Sequence, residues 1–130
     1  MLNDEIRSLR KNTKEAEKFF KNQLAFTLGP VELKELAEKN KIKIVDVRDK
    51  ADYEIAHIPQ AISIPYMELL TRISELSKEE TTIIYCYNQQ CKLGHRACLK
   101  LADYGYSCMH LDGGFKTWKE DFRFATETLQ

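Results

Sequence analysis

No apolar run in this sequence approaches the roughly 20 residues that a membrane-spanning helix needs. Its first stretch, MLNDEIRSLRKNTKEAEK, lacks the apolar centre of a signal peptide. The expected location is therefore the cytoplasm, with no membrane as partner. Net charge is also missing: 20 Lys and Arg balance 20 Asp and Glu, so no electrostatic surplus points to nucleic acid. No repeat, low-complexity tract or linker divides the chain. Its 130 residues suffice for one core but not two. In a reducing compartment the four cysteines read as free, catalytic or metal-binding thiols, not as a disulfide framework.

What is present concentrates in residues 81–105, TTIIYCYNQQCKLGHRACLKLADYG. The uncharged, β-branched run 81–85 predicts a strand buried on both faces, as in a parallel sheet. Cys86 ends it. From Leu93, apolar and small residues fall at 93, 94, 97, 98, 101 and 102, one face of a helix that Gly105 is placed to close. Strand ends and helix N-termini are where α/β sheets bind anions. A thiolate at Cys86 is expected to have its pKa lowered there, with Lys92, His95 and Arg96 adding positive charge.

Around this centre the spacing predicts a helix over 3–24, with a heptad stripe of Leu2, Ile6, Leu9, Thr13, Ala16 and Phe20. That stripe is expected to pack on its own domain, on the sheet side away from Cys86, to pair with a second copy as a homodimer, or to serve as a partner-docking arm. A break at 28–30 precedes a helix over 31–40, with Thr27 or Gly29 as cap. A strand over 42–47, a helical turn over 50–56 and an extended 57–61 follow. Residues 62–65 form a proline-terminated strand near an edge, and 66–76 return to helical period. Residues 106–111 are the last strand, 112–114 a turn, and 115–122 a helix with Trp118 inward. The alternation gives an α/β domain with a mainly parallel sheet, divided into an N-terminal helical extension (1–28) and the domain proper (29–130).

IVDVRDKADYEIAHIPQAISIP at 44–65, YC at 85–86 and LDGGFKTW at 111–118 together resemble the rhodanese domain in order and spacing. The resemblance implies a rhodanese-like sulfurtransferase without a cofactor. Its cysteine takes a sulfane sulfur from thiosulfate or a low-molecular-weight persulfide, becomes a persulfide, and passes the sulfur to a thiol, cyanide or a protein. The family's cysteine matches Cys86. The family usually has glycine where this chain has Ala56 and Gln60, and both are expected to take ordinary dihedrals here. Two alignments of the loop compete. Counting back from Gly105 makes Cys86 the nucleophile with a loop about two residues longer than usual. The run CKLGHRA at 91–97 instead reproduces the short pattern of cysteine, glycine and arginine from Cys91. Cys86 is the preferred nucleophile, and Cys91 a second thiol that takes the sulfur or resolves the persulfide as a disulfide. The substrate-binding set is Tyr87, Asn88, Gln89, Gln90, Lys92, Leu93, Gly94, His95 and Arg96.

Other polar residues read as structural. Asp46, Arg48 and Asp52 tie the first strand's end to the following turn, His57 packs, and His110 is a satisfied core or edge histidine. Cys98 and Cys108 are expected to be inert. Cys91, His95 and Cys98, spaced i, i+4, i+7, with Cys86 as a fourth ligand, raise a metal reading, but their order fits no common zinc pattern. Two further functions compete with sulfur transfer. One is a dithiol redox relay or sulfur-carrier module using Cys86 and Cys91. The other is a phosphatase-like or arsenate-reductase-like enzyme, with Lys92 in the place of arginine but without its bidentate fork.

Overall fold

In a computed structural model that describes residues 2–39 and 42–129, five strands form one parallel sheet. They are β1 (Thr27–Leu28), β2 (Lys43–Asp46), β3 (Ala61–Ser63), β4 (Thr82–Tyr85) and β5 (Cys108–Leu111), in the order β1-β5-β4-β2-β3. The helices are α1 (Leu2–Lys11), α2 (Thr13–Phe26), α3 (Pro30–Lys39), α4 (Lys50–Ile55), α5 (Leu93–Asp103) and α6 (Gly114–Lys116), the last running on into a π turn at Thr117–Asp121. The chain ends Met1 and Gln130, and the expected helix end at Asn40, lie outside the described residues.

Every residue of β4 is buried, as its uncharged β-branched sequence requires. Its alternation feeds two cores. Ile83 and Tyr85 pack with Leu33, Tyr53, Phe115 and Trp118 on one face. Ile84 and Cys86 pack with Val45, Ala97 and Leu101 on the other. Each large aliphatic side chain so buried is worth roughly 1.5–3 kcal/mol. Helix α5 ends as its glycine predicts: Gly105 takes φ 85°, the Tyr106 amide donates to Leu101 O at 2.9 Å and the Gly105 amide to Ala102 O at 3.0 Å. Pro30 opens α3, with the Gly29 carbonyl accepting from the Leu33 amide at 3.0 Å. The crossover after β2 leads outward to the edge strand β3, whereas the one after β4, through α5, leads to β5 on the other side. The chain therefore reverses direction at the carboxyl ends of β2 and β4, where open α/β sheets bind ligands.

Four expectations are corrected. The N-terminal segment is two helices because Asn12 interrupts it: its side chain accepts from the Glu15 amide at 3.2 Å and caps α2. The apolar stripe is not buried in this chain. Ile6, Leu9 and Phe20 are 38%, 62% and 60% exposed, and the end of α2 sits against β5 on the α5 side, not away from Cys86. Residues 66–76 are not one helix but two 3-10 turns, Tyr66–Glu68 and Ile73–Glu75, anchored by buried Leu69 and Leu76. Ala56 is extended, as expected, but Gln60 takes φ 75°. Its side chain offsets the strain by donating to Ala37 O at 3.0 Å. The sequence reading also missed β1 and the tail, where Glu127 bridges to His57.

Candidate active site

Cys86 lies at the carboxyl end of β4, fully buried. Its carbonyl accepts from the Phe115 amide at 2.9 Å, and Tyr87 O accepts from the Lys116 amide at 2.9 Å, so the start of α6 clamps the loop. Gly114 makes that clamp close: a Cβ there would stand 2.8 Å from both Cys86 O and Asn88 N. Gln89 reaches back to accept from the Gly113 amide at 2.7 Å. Asn88 Oδ1 accepts from the amides of Gln90 and Cys91 at 3.1 and 3.0 Å, an Asx turn that fixes the loop from within.

Those two amides are therefore unavailable to Cys86, whose sulfur faces Cys91 O at 3.6 Å. Burial, together with the neighbouring Cys91 thiol, pushes the Cys86 thiol up to about 11 against the opposing pull of the Gly94 amide. This corrects the expected lowering: the helix N-terminus does serve the sulfur, but desolvation outweighs it. The half-buried Cys91 thiol goes the other way. Burial acts against it, yet the Leu93 amide, the Cys86 thiol, the Tyr87 backbone and the Arg96 guanidinium together hold it below the ordinary thiol value. The first turn of α5 thus divides its amides between the two cysteines, one thiol raised and its neighbour lowered.

The remaining expected site residues separate. Tyr87 leaves the sulfur and donates its hydroxyl to Asp52, with burial and that carboxylate raising the phenol to about 12. Asp52, read from sequence as part of a structural turn, therefore holds the loop. Gln90, Lys92, His95 and Arg96 are exposed. His95 turns from the sulfurs and packs its ring on His110, centroids 4.2 Å apart. Asp46 and Arg48 do form a buried structural pair, 2.8 Å apart, and Arg48 also donates to Ala56 O at 2.7 Å. His57 stacks on Tyr53. His110 is not the satisfied histidine expected: it is 4% exposed with neither ring nitrogen partnered. Among the described residues no group of three or more His, Cys, Asp or Glu side chains is arranged to hold a metal ion, and no helix is long and apolar enough to cross a membrane.

The rhodanese-like domain family model matches residues 29–121. An HTH-type transcriptional regulator of Mycobacterium tuberculosis is 34% identical over 88 residues, 68% of this chain; the chain spans only 39% of that protein's length. Thiosulfate sulfurtransferase GlpE of Coxiella burnetii is 34% identical over 96 residues, 71% of this chain and 85% of that protein. The crystal structure of the BH2092 protein from Bacillus halodurans has a TM-score of 0.82 at 31% identity, covering 91% of this chain and 88% of that one. That likeness takes in part of the N-terminal helices. A rhodanese-like domain protein of Staphylococcus aureus shares the fold, with a TM-score of 0.70 at 23% identity over 79% of this chain and 97% of that one.

Proposed function

The chain belongs to the rhodanese-like domain family, and on that premise we propose that it is a cytoplasmic sulfurtransferase working through a persulfide on Cys86, with Cys91 as partner thiol. The observation that carries this reading is the pairing of two cysteines at the carboxyl end of β4, with the Cys86 sulfur 3.6 Å from the Cys91 carbonyl, one thiol buried and pushed up, the other half-buried and held below the ordinary thiol value. The Cys91 thiolate accepts the Cys86 proton as the Cys86 sulfur attacks the outer sulfur of the donor. That sulfur's bond to the rest of the donor breaks, and sulfite leaves thiosulfate, or a thiolate leaves a persulfide, with the electron pair. The Gly94 amide stabilises charge on the Cys86 side, while Arg96 attracts the anionic donor. A thiol, cyanide or protein acceptor then attacks the outer sulfur and releases Cys86. The relative named a thiosulfate sulfurtransferase supports thiosulfate as donor.

The experiment is thiocyanate formation from thiosulfate and cyanide. Wild type should turn over, Cys86→Ser should not, and a Cys86→Ser variant as active as wild type would overturn the assignment. The same contact favours a second use. Cys91 can attack the Cys86 sulfur of the persulfide, expelling hydrosulfide and leaving a Cys86–Cys91 disulfide, which makes the domain a redox relay. Sulfide release with one equivalent of donor and no acceptor, lost in Cys91→Ser, tests it.

The exposed stripe on α1 and α2 supports a homodimer through the N-terminal helices, since Ile6, Leu9, Phe19 and Phe20 line an open apolar groove. Sedimentation should give a dimer that Phe20→Glu dissociates; a wild-type monomer at high concentration would contradict it.

A further inference from the structure

The two cysteines outside the loop are also a pair. Cys98 lies on α5 and Cys108 on β5. The Cys108 thiol donates to the Cys98 carbonyl at 3.4 Å, which brings the two cysteines together. Neither is enclosed. Both are half-exposed and line a cleft of about 570 Å³ between α5 and the end of α2, walled by Asn22, Phe26, Leu99 and His110. The sulfur-transfer mechanism uses neither thiol.

We propose that Cys98 and Cys108 are a second, redox-active dithiol that closes to an intramolecular disulfide when a low-molecular-weight disulfide enters the cleft. A disulfide needs its two sulfurs on facing surfaces with short reach. A helix residue and a strand residue already joined by the contact of the Cys108 sulfur with the Cys98 carbonyl meet that need with little backbone movement. The order of attack follows from the opposite tendencies of the two thiols. The neighbouring Cys98 thiol lowers Cys108, against its burial, whereas Cys108 and burial raise Cys98. The Cys108 thiolate attacks one sulfur of the small disulfide, forming a mixed disulfide and releasing one thiolate. Cys98 then loses its proton and attacks the Cys108 sulfur, releasing the second. Two protein thiols are oxidised and one small disulfide is reduced to two thiols. Cys98 follows Gly94 by one turn of α5, so the bond ties to β5 the helix whose first turn serves Cys86 and Cys91.

The test uses the full chain and oxidised glutathione, with no sulfur donor present, so its outcome is independent of whether Cys86 transfers sulfur. The reduced protein is incubated with graded oxidised glutathione, free thiols are blocked with N-ethylmaleimide, and intact and non-reduced peptide masses are read. The expected product carries no glutathione at either position and yields a peptide linking Cys98 to Cys108. In Cys98→Ser the resolving thiol is gone, so glutathione should remain on Cys108. In Cys108→Ser, Cys98 should stay unmodified. Stable glutathione on Cys108 in wild type, no reaction at either cysteine, or linkage of either to Cys86 or Cys91 would each overturn the proposal. Circular dichroism of the serine variants confirms that they are folded before either is read.

Discussion

Gly94 lies so close to His110 that a Cβ on the glycine would stand 2.3 Å from the ring's Nε2 and 3.4 Å from the Cys86 sulfur. Histidine nitrogen and cysteine sulfur are therefore no farther apart than those two lengths combined, with only the first turn of α5 over them. The glycine is what lets the helix descend onto both.

Gly94→Ala should then destabilise by about 1–3 kcal/mol, the usual cost of overpacking. Combining it with His110→Ala should cost less than the two single changes added together, by about 1 kcal/mol, because removing the ring vacates the space. Urea denaturation of the four proteins measures this. Strict additivity would mean that the alanine methyl is accommodated elsewhere.

His110 also makes a prediction about pH. Burial first, then His95 and Lys92, push its pKa from 6.5 down to about 4. As pH falls between those values the unfolded chain takes up a proton that the folded chain refuses. The contribution to stability is whole above pH 6.5 and is lost toward pH 4, by roughly 3 kcal/mol. His110→Phe should lack that loss, and its two absent ring nitrogens, unpartnered in the native protein, leave no buried polar group behind. Denaturant midpoints from pH 7 to 4 for both proteins give the comparison. Parallel curves would contradict the account.

Gln60, held at φ 75°, should prefer glycine. Gln60→Gly relieves about 1 kcal/mol of left-handed strain and gives part of it back with the lost hydrogen bond to Ala37 O. The expected result is a gain of a few tenths of a kcal/mol, against a loss of about 1–2 kcal/mol for Gln60→Val. Equal stability of the two variants would mean that the turn does not need the positive φ.

How far the sequence could be read follows from how local each signal is. The strand over 82–85, Cys86 at its end, the helix face at 94, 97 and 101 and the stop at Gly105 are written in consecutive residues, and all appear as expected. The turn expected over 112–114 is there too, though its clamp on the loop had no signal in the sequence. Long-range pairings had no such signal. Nothing near Tyr87 in sequence announces Asp52 as its partner. Nothing near Cys98 announces Cys108, which reading each residue alone left as inert. The heptad stripe misled because Asn12, a strong N-cap, outweighs continuity of the helix. The Cys86 pKa was misjudged in sign because burial depth and the diversion of the Gln90 and Cys91 amides to Asn88 exist only in three dimensions.

The measurement that bears most directly on the paired-cysteine mechanism is intact mass after one turnover's worth of thiosulfate, with peptide mapping, for wild type, Cys86→Ser and Cys91→Ser. Wild type should gain one sulfur on Cys86. Cys91→Ser should gain it more slowly, by about tenfold or more for want of the base, and Cys86→Ser should gain none. Sulfur on Cys91 in the wild type, with Cys86→Ser loading as fast, would contradict the account and make Cys91 the nucleophile.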